Sequence, residues 1–221
     1  MPSCAVALND TAMKIAIIGA NAQQNPLILQ AKERGYETHT FAWHDGADVG
    51  RQTSDYFYPI SATNREGILS KCREIGIEAV ASIGSDMSAQ AAAYVCEHMG
   101  LRGNGIHAVL TATNKLLTRK SFACVGISQP AYVEIGDAVP FEAIERLHYP
   151  LIVKPSDRSG SRGIRIIESE RDFFGAINEA RDLSFERKAI VEELIDGSLY
   201  SCECVSAASY LCRRKRIDQG C

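Results

Sequence analysis

The sequence predicts an α/β chain in two parts, a doubly wound parallel sheet over residues 14–112 followed by an incomplete α+β unit over residues 113–206. Three observations lead there. Short β-branched runs alternate with helical stretches from Lys14 to Met99, the stretch Gly100 to Gly105 is rich in turn residues, and from Pro130 the rhythm changes to strand, helix, strand, strand, helix, strand.

Length and composition set the outer bounds. The 221 residues, 46% hydrophobic and 23% charged, suit one large globular domain or two small ones. A net charge of −3 gives no general attraction to nucleic acid or to an anionic membrane, so neither is expected as a partner. No window reaches the apolar length of a membrane span and Met1 to Asn9 lacks the build of a secretory signal, so a cytoplasmic location is expected. Eight cysteines are scattered without CxxC spacing, which predicts reduced thiols used as small core residues. Cys202-Glu203-Cys204 is the one close pair, and two ligands do not make a metal site.

In order along the chain, Lys14 to Gly19 reads as a buried parallel strand and Pro26 to Arg34 as a helix stopped by Gly35. Strands follow at Glu37 to Trp43, Tyr56 to Ile60 and Ala79 to Ile83, with a helix from Glu66 to Ile75 between the last two. Ser85 or Asp86 caps a helix from Met87 to Met99, and Thr113 or Asn114 caps one ending at Cys124. Ligands in such sheets sit beyond the carboxyl ends of the strands, so the loops carrying Asp45, Asp48, Ser85 and Asp86 are candidate surfaces. Caps or solvated turn residues account for the same four letters. Gly19-Ala20-Asn21 lacks the GxGxxG spacing, which argues against a dinucleotide there. The five histidines, 39, 44, 98, 107 and 148, read as structural or solvated.

The second unit holds the stretch that points to chemistry. Leu151-Ile152-Val153-Lys154 is an apolar strand ending in a lysine, and an unpaired buried ammonium is costly, so Lys154 is aimed at something. The loop after it holds Ser156, Ser159, Gly160, Ser161 and Gly163, small residues that let backbone N–H groups approach a phosphate, with Arg158 and Arg162 adding charge. A surface hairpin with a solvated lysine suits the same letters. Downstream, Ala189 to Glu192 is a strand running into Glu193-Leu194-Ile195-Asp196-Gly197. Backbone groups there could meet the edge of a purine, and an exposed turn at Asp196-Gly197 explains the sequence equally well.

Taken together, Thr113-Asn114-Lys115, Val125 to Pro130, Ile152-Val153-Lys154-Pro155 with Gly160-Ser161-Arg162-Gly163, and Val191 to Gly197 resemble the ATP-grasp superfamily. The resemblance implies a Rossmann-like domain before the grasp at residues 14–112 and a partial ATP-grasp domain at 113–206. It implies that Lys115 and Lys154 contact ATP phosphates, that Ser159, Gly160, Ser161 and Gly163 belong to a mobile lid, and that Glu192, Glu193, Leu194 and Ile195 form the adenine-binding hinge. The implied reaction activates a small-molecule carboxylate as an acyl phosphate for attack by an amine or similar nucleophile. Such catalysis works by positioning and charge neutralisation, with magnesium as counter-ion.

Two departures from the family pattern bear on these expectations. The family's ribose-binding acidic residue is Leu199 here, which is expected to weaken nucleotide binding. The chain also stops at Cys221, before the region of the family's magnesium ligands, and residues 207–221 read as an atypical basic tail. A truncated remnant or a plain nucleotide- or small-molecule-binding module is the alternative reading, and an exposed sheet edge would favour self-association.

Overall fold

The computed structural model describes residues 12–44, 46, 48–198, 200–205 and 211–216. These fall into two compact units, Met1–Val125 and Gly126–Cys221.

In the first unit four parallel strands run in the order β3-β2-β1-β4. They are β1 (Lys14–Ile18), β2 (Glu37–Phe41), β3 (Tyr56–Tyr58) and β4 (Ala79–Ala81). Six helices accompany them: α1 (Asn25–Glu33), α2 (Gly50–Thr53), α3 (Arg65–Ile75), α4 (Asp86–Met99), α5 (Ile106–Thr113) and α6 (Lys115–Cys124). The apolar run of β1 is apolar because both of its faces are buried. Ala16 and Ile18 pack with Phe41 and with Ile68, Leu69, Ala91 and Val95 of α3 and α4, while Ile17 packs with Ile28 and Ala31 of α1.

Caps set the helix starts. Ser85 accepts from the Ser88 N–H at the start of α4, and the Asn114 side chain accepts from Leu116 and Leu117 at the start of α6. The division between units falls after Val125, past the boundary expected near residue 113, because α6 stays packed on α5. The Thr118 hydroxyl ties the two helices, donating to the Thr111 carbonyl at 2.6 Å.

The second unit is built on an antiparallel sheet in the order β5-β8-β6-β7. Its strands are β5 (Tyr132–Ile135), β6 (Leu151–Pro155), β7 (Arg165–Ile167) and β8 (Ala189–Glu193). Alternation sends Val133, Ile135, Leu151, Val153, Ile167, Ala189 and Val191 to one face, where they meet Phe173, Ala176, Ile177 and Ala180 of α8 (Phe173–Leu183) and Ile144 of α7 (Phe141–Ile144). α7 is a single turn. A 3₁₀ turn at Glu170–Asp172 leads into α8.

Leu211–Arg216, expected to be part of a basic tail, is instead a strand, β10, paired antiparallel with β9 (Tyr200–Val205) from Leu211↔Val205 to Arg216↔Tyr200. Backbone pairing needs only N–H and C=O groups, so a basic run can form a strand. No helix among the described residues is long and apolar enough to cross a membrane.

Candidate functional site

The face of the second sheet opposite α8 carries the residues that the packing against α8 excludes. Strand register places Lys154 beside Ile190, and Ile152 between Glu192 and Ile166. Tyr132 and Glu134 of β5 lie across from Glu192 and Ile190. A charged pair sits among these apolar side chains: Lys154 Nζ donates to Glu192 Oε2 at 2.6 Å, with the Glu192 side chain 2% exposed and that of Lys154 19% exposed. Lys154 is therefore aimed at Glu192, the first residue of the expected hinge. On the same face Lys188 Nζ donates to Glu134 Oε1 at 2.9 Å. That bond, more than the nearby charge of Glu134, raises the Lys188 pKa.

The hinge itself is partly committed to the fold. The Glu193 N–H donates to the Ala131 carbonyl and the Leu194 N–H to the Pro150 carbonyl, both at 3.0 Å. The N–H groups of these two residues are thus engaged within the fold and are not open to the edge of a purine. Ile195 is the first residue of the segment whose N–H has no partner among the described residues, and its side chain is exposed. The Glu193 carboxylate accepts from the His148 side chain and main chain at 2.8 and 2.9 Å, and these two bonds hold its pKa below the ordinary value. Its role in the described structure is to fix the turn before Pro150.

The glycine-rich loop has a pinned base and an exposed tip. Ser156 is fully buried and its N–H donates to the Lys188 carbonyl, while Asp157 accepts from the N–H groups of Phe185 and Glu186. Arg158 donates to the Leu183 carbonyl at the end of α8 and lies 4.0 Å from the Phe185 ring centre. These contacts correct the expectation that Arg158 adds charge to a clamp. Beyond them Ser159, Gly160, Ser161 and Arg162 stand exposed. Gly160, Ser161 and Gly163 have φ of 70°, 56° and 69°. A Cβ on Gly163 would stand 2.6 Å from Leu183 Cδ1 and 3.0 Å from Pro155 Cγ, so glycine is required there by both conformation and space.

Of the other expected residues, Lys115 is the first residue of α6 in the other unit, half-buried beside its cap Asn114. Leu199 and Asp45 lie outside the described residues. No group of three or more His, Cys, Asp or Glu side chains that could hold a metal ion occurs among the described residues.

The first unit has a cavity of about 220 Å³ beyond the carboxyl ends of β1 and β2, lined by Asn21, Gln24, Trp43, Asp48, Ser85 and Ser88 among others. Asp48 is not a solvated turn residue, being 8% exposed. Its carboxylate lies 2.8 Å from His44 Nδ1, and Arg51 Nη1 lies 2.8 Å from His44 Nε2. Burial works against charge on Asp48, but the His44 hydrogen bond leads the effects that keep its pKa below the usual carboxylate range. Sequence reasoning marked Asp48 but missed the relay; its only signal was the spacing of His44, Asp48 and Arg51 around α2.

The D-ala D-ala ligase C-terminus family model matches residues 121–213. The D-alanine–D-alanine ligase B of Chromobacterium violaceum is 30% identical over 150 residues, 64% of this chain and 48% of that protein. The alanine–anticapsin ligase of Bacillus subtilis is 28% identical over 60% of this chain and 30% of its own length. The chain thus spans about half or less of the length of these relatives. Among solved structures, N5-carboxyaminoimidazole synthetase from Staphylococcus aureus complexed with ADP is similar in fold, with a TM-score of 0.73, 17% identity and coverage of 96% of this chain and 57% of that one. Over part of its length the chain is similar to D-alanine–D-alanine ligases, and it shares the fold of the synthetase. The L-amino acid ligase of Bacillus licheniformis is likewise similar in fold, with a TM-score of 0.72, 18% identity and coverage of 94% of this chain and 52% of that one.

Proposed function

We propose that this chain is an ATP-grasp protein, the nucleotide-binding part of an ATP-dependent ligase that activates a small-molecule carboxylate as an acyl phosphate for an amine or similar nucleophile. The observation that carries this reading is the 2.6 Å contact of Lys154 with Glu192, which brings the expected phosphate lysine to the start of the expected adenine hinge. Around that pair Ile152 and Ile190 supply apolar walls, Ile195 an available N–H, and Ser159 to Gly163 a loop free to close at its tip. The parallel sheet of the first unit serves on this reading as the Rossmann-like domain that precedes the grasp. Magnesium would travel with the nucleotide as counter-ion to its phosphates, and since the described residues hold no carboxylate cluster for it, no step is routed through it. A cytoplasmic setting accords with ATP as substrate and with the free thiols of Cys72, Cys96 and Cys124.

Calorimetric titration of the full chain with ATP, with and without magnesium, tests the reading. Saturable binding is expected, weakened at least tenfold in Lys154→Ala and partly restored in Lys154→Arg, with circular dichroism to confirm that both variants fold. An amide shift at Ile195 on adding the non-hydrolysable analogue AMP-PNP gives a second readout. Heats that fail to saturate up to millimolar ATP would overturn it.

A further inference from the structure

Away from both sites, the second unit has a cleft of about 300 Å³ between α7 and the start of α8. Three of its walls are aromatic: Phe141, Tyr149 and Phe174 are 50%, 39% and 54% exposed, over a floor that includes the buried Phe173. Phe141 and Phe174 stand 5.6 Å apart at an interplanar angle of 51°, so their rings lean together without closing the space. Two carboxylates, Glu145 and Glu170, complete the lining, and neither has an ion-pair partner among the described residues. Arg171 lines the adjoining cleft with Arg165 and Asp172, leaving the aromatic cleft itself without a cation.

Exposed aromatic rings in a monomer cost hydrophobic free energy unless something covers them, and their faces carry negative potential. An anion or a second acidic surface would be repelled by Glu145 and Glu170. A neutral apolar group would cover the rings but leave the two charges unmatched. A cation with an apolar shell satisfies both features, as ring faces and carboxylates attract the same ligand. We propose that this cleft binds a small organic ammonium ion, its methyl or methylene carbons against Phe141, Tyr149 and Phe174 and its charge between Glu145 and Glu170. The volume admits a quaternary ammonium group with room for a short substituent.

The test is a titration of the isotope-labelled full chain with tetramethylammonium chloride at fixed ionic strength, followed by NMR. Shifts confined to residues 141–149 and 170–174 should saturate in the millimolar range. Glu170→Gln, a surface change that leaves the core intact, should weaken binding at least fivefold, and Phe174→Leu should do likewise. The neutral analogue tert-butanol should bind at least fivefold more weakly than the cation. Equal binding of tert-butanol, unchanged affinity in Glu170→Gln, or shifts that spread over the surface without saturating would each overturn the proposal.

Discussion

Lys154 and Glu192 form an ion pair whose carboxylate is almost wholly buried. Taking either charge out of water is costly, and the pair is retained only because each neutralises the other. Replacing Lys154 with methionine leaves the buried Glu192 carboxylate without its ammonium and is expected to destabilise the second unit by about 3 kcal/mol. Lys154→Met/Glu192→Leu, which removes both charges, should recover most of that loss while leaving ATP binding abolished. Urea denaturation of the two variants checks this, and equal stability of Lys154→Met and wild type would refute the coupling. The strand pattern made Lys154 conspicuous, but its partner is 38 residues away and had no local signal.

At the scale of elements, the loop between β6 and β7 combines a rigid base with a free tip. Gly160 and Gly163 share the same left-handed conformation, at φ of 70° and 69°, yet a Cβ on Gly160 would meet nothing within 4 Å while one on Gly163 would run into Leu183 and Pro155. Gly160→Ala should therefore cost about 1 kcal/mol from backbone strain alone. Gly163→Ala should cost about 2–3 kcal/mol, since the Leu183 side chain and the Pro155 ring must also give way. Thermal unfolding of the two variants measures the difference, and similar values would show that the loop base is not packed as described. Small residues in the sequence marked a loop, whereas the distinction between the packed and the free glycine depends on α8 lying over Pro155.

For the whole molecule, acid is the condition that addresses both units. In the first, burial disfavours charge on Asp55, but hydrogen bonds from Lys32 at 2.6 Å and from the Thr38 main chain and hydroxyl at 2.9 and 2.8 Å outweigh it and lower its pKa from 3.8. In the second, the His148 side chain and main chain lower Glu193 from 4.5. A carboxyl whose pKa is lower in the folded state stabilises the fold fully above its unfolded value, and that contribution is lost as pH falls through the folded value. Both units should thus hold this stability at neutral pH and lose it below about pH 4. Asp55→Asn should be less stable than wild type at pH 7, with the gap closing on acidification. Urea midpoints across pH show this, and a gap independent of pH would contradict the sign.

The alternation of strands and helices, the caps Ser85 and Asn114, and the apolar run of β1 were legible in the sequence because they depend on neighbours a few residues away. So were Lys154 and its glycine loop, where an ammonium ends an apolar strand. The tertiary structure decided what those residues do. It set Lys154 against Glu192 and engaged the N–H groups of Glu193 and Leu194, turned Arg158 toward α8, buried Asp48 behind His44 and paired Leu211–Arg216 with β9. The Lys154 and Arg158 contacts and the bonds of Glu193 and Leu194 join segments distant along the chain, and residue type alone does not specify which distant group a charge or a backbone N–H will meet.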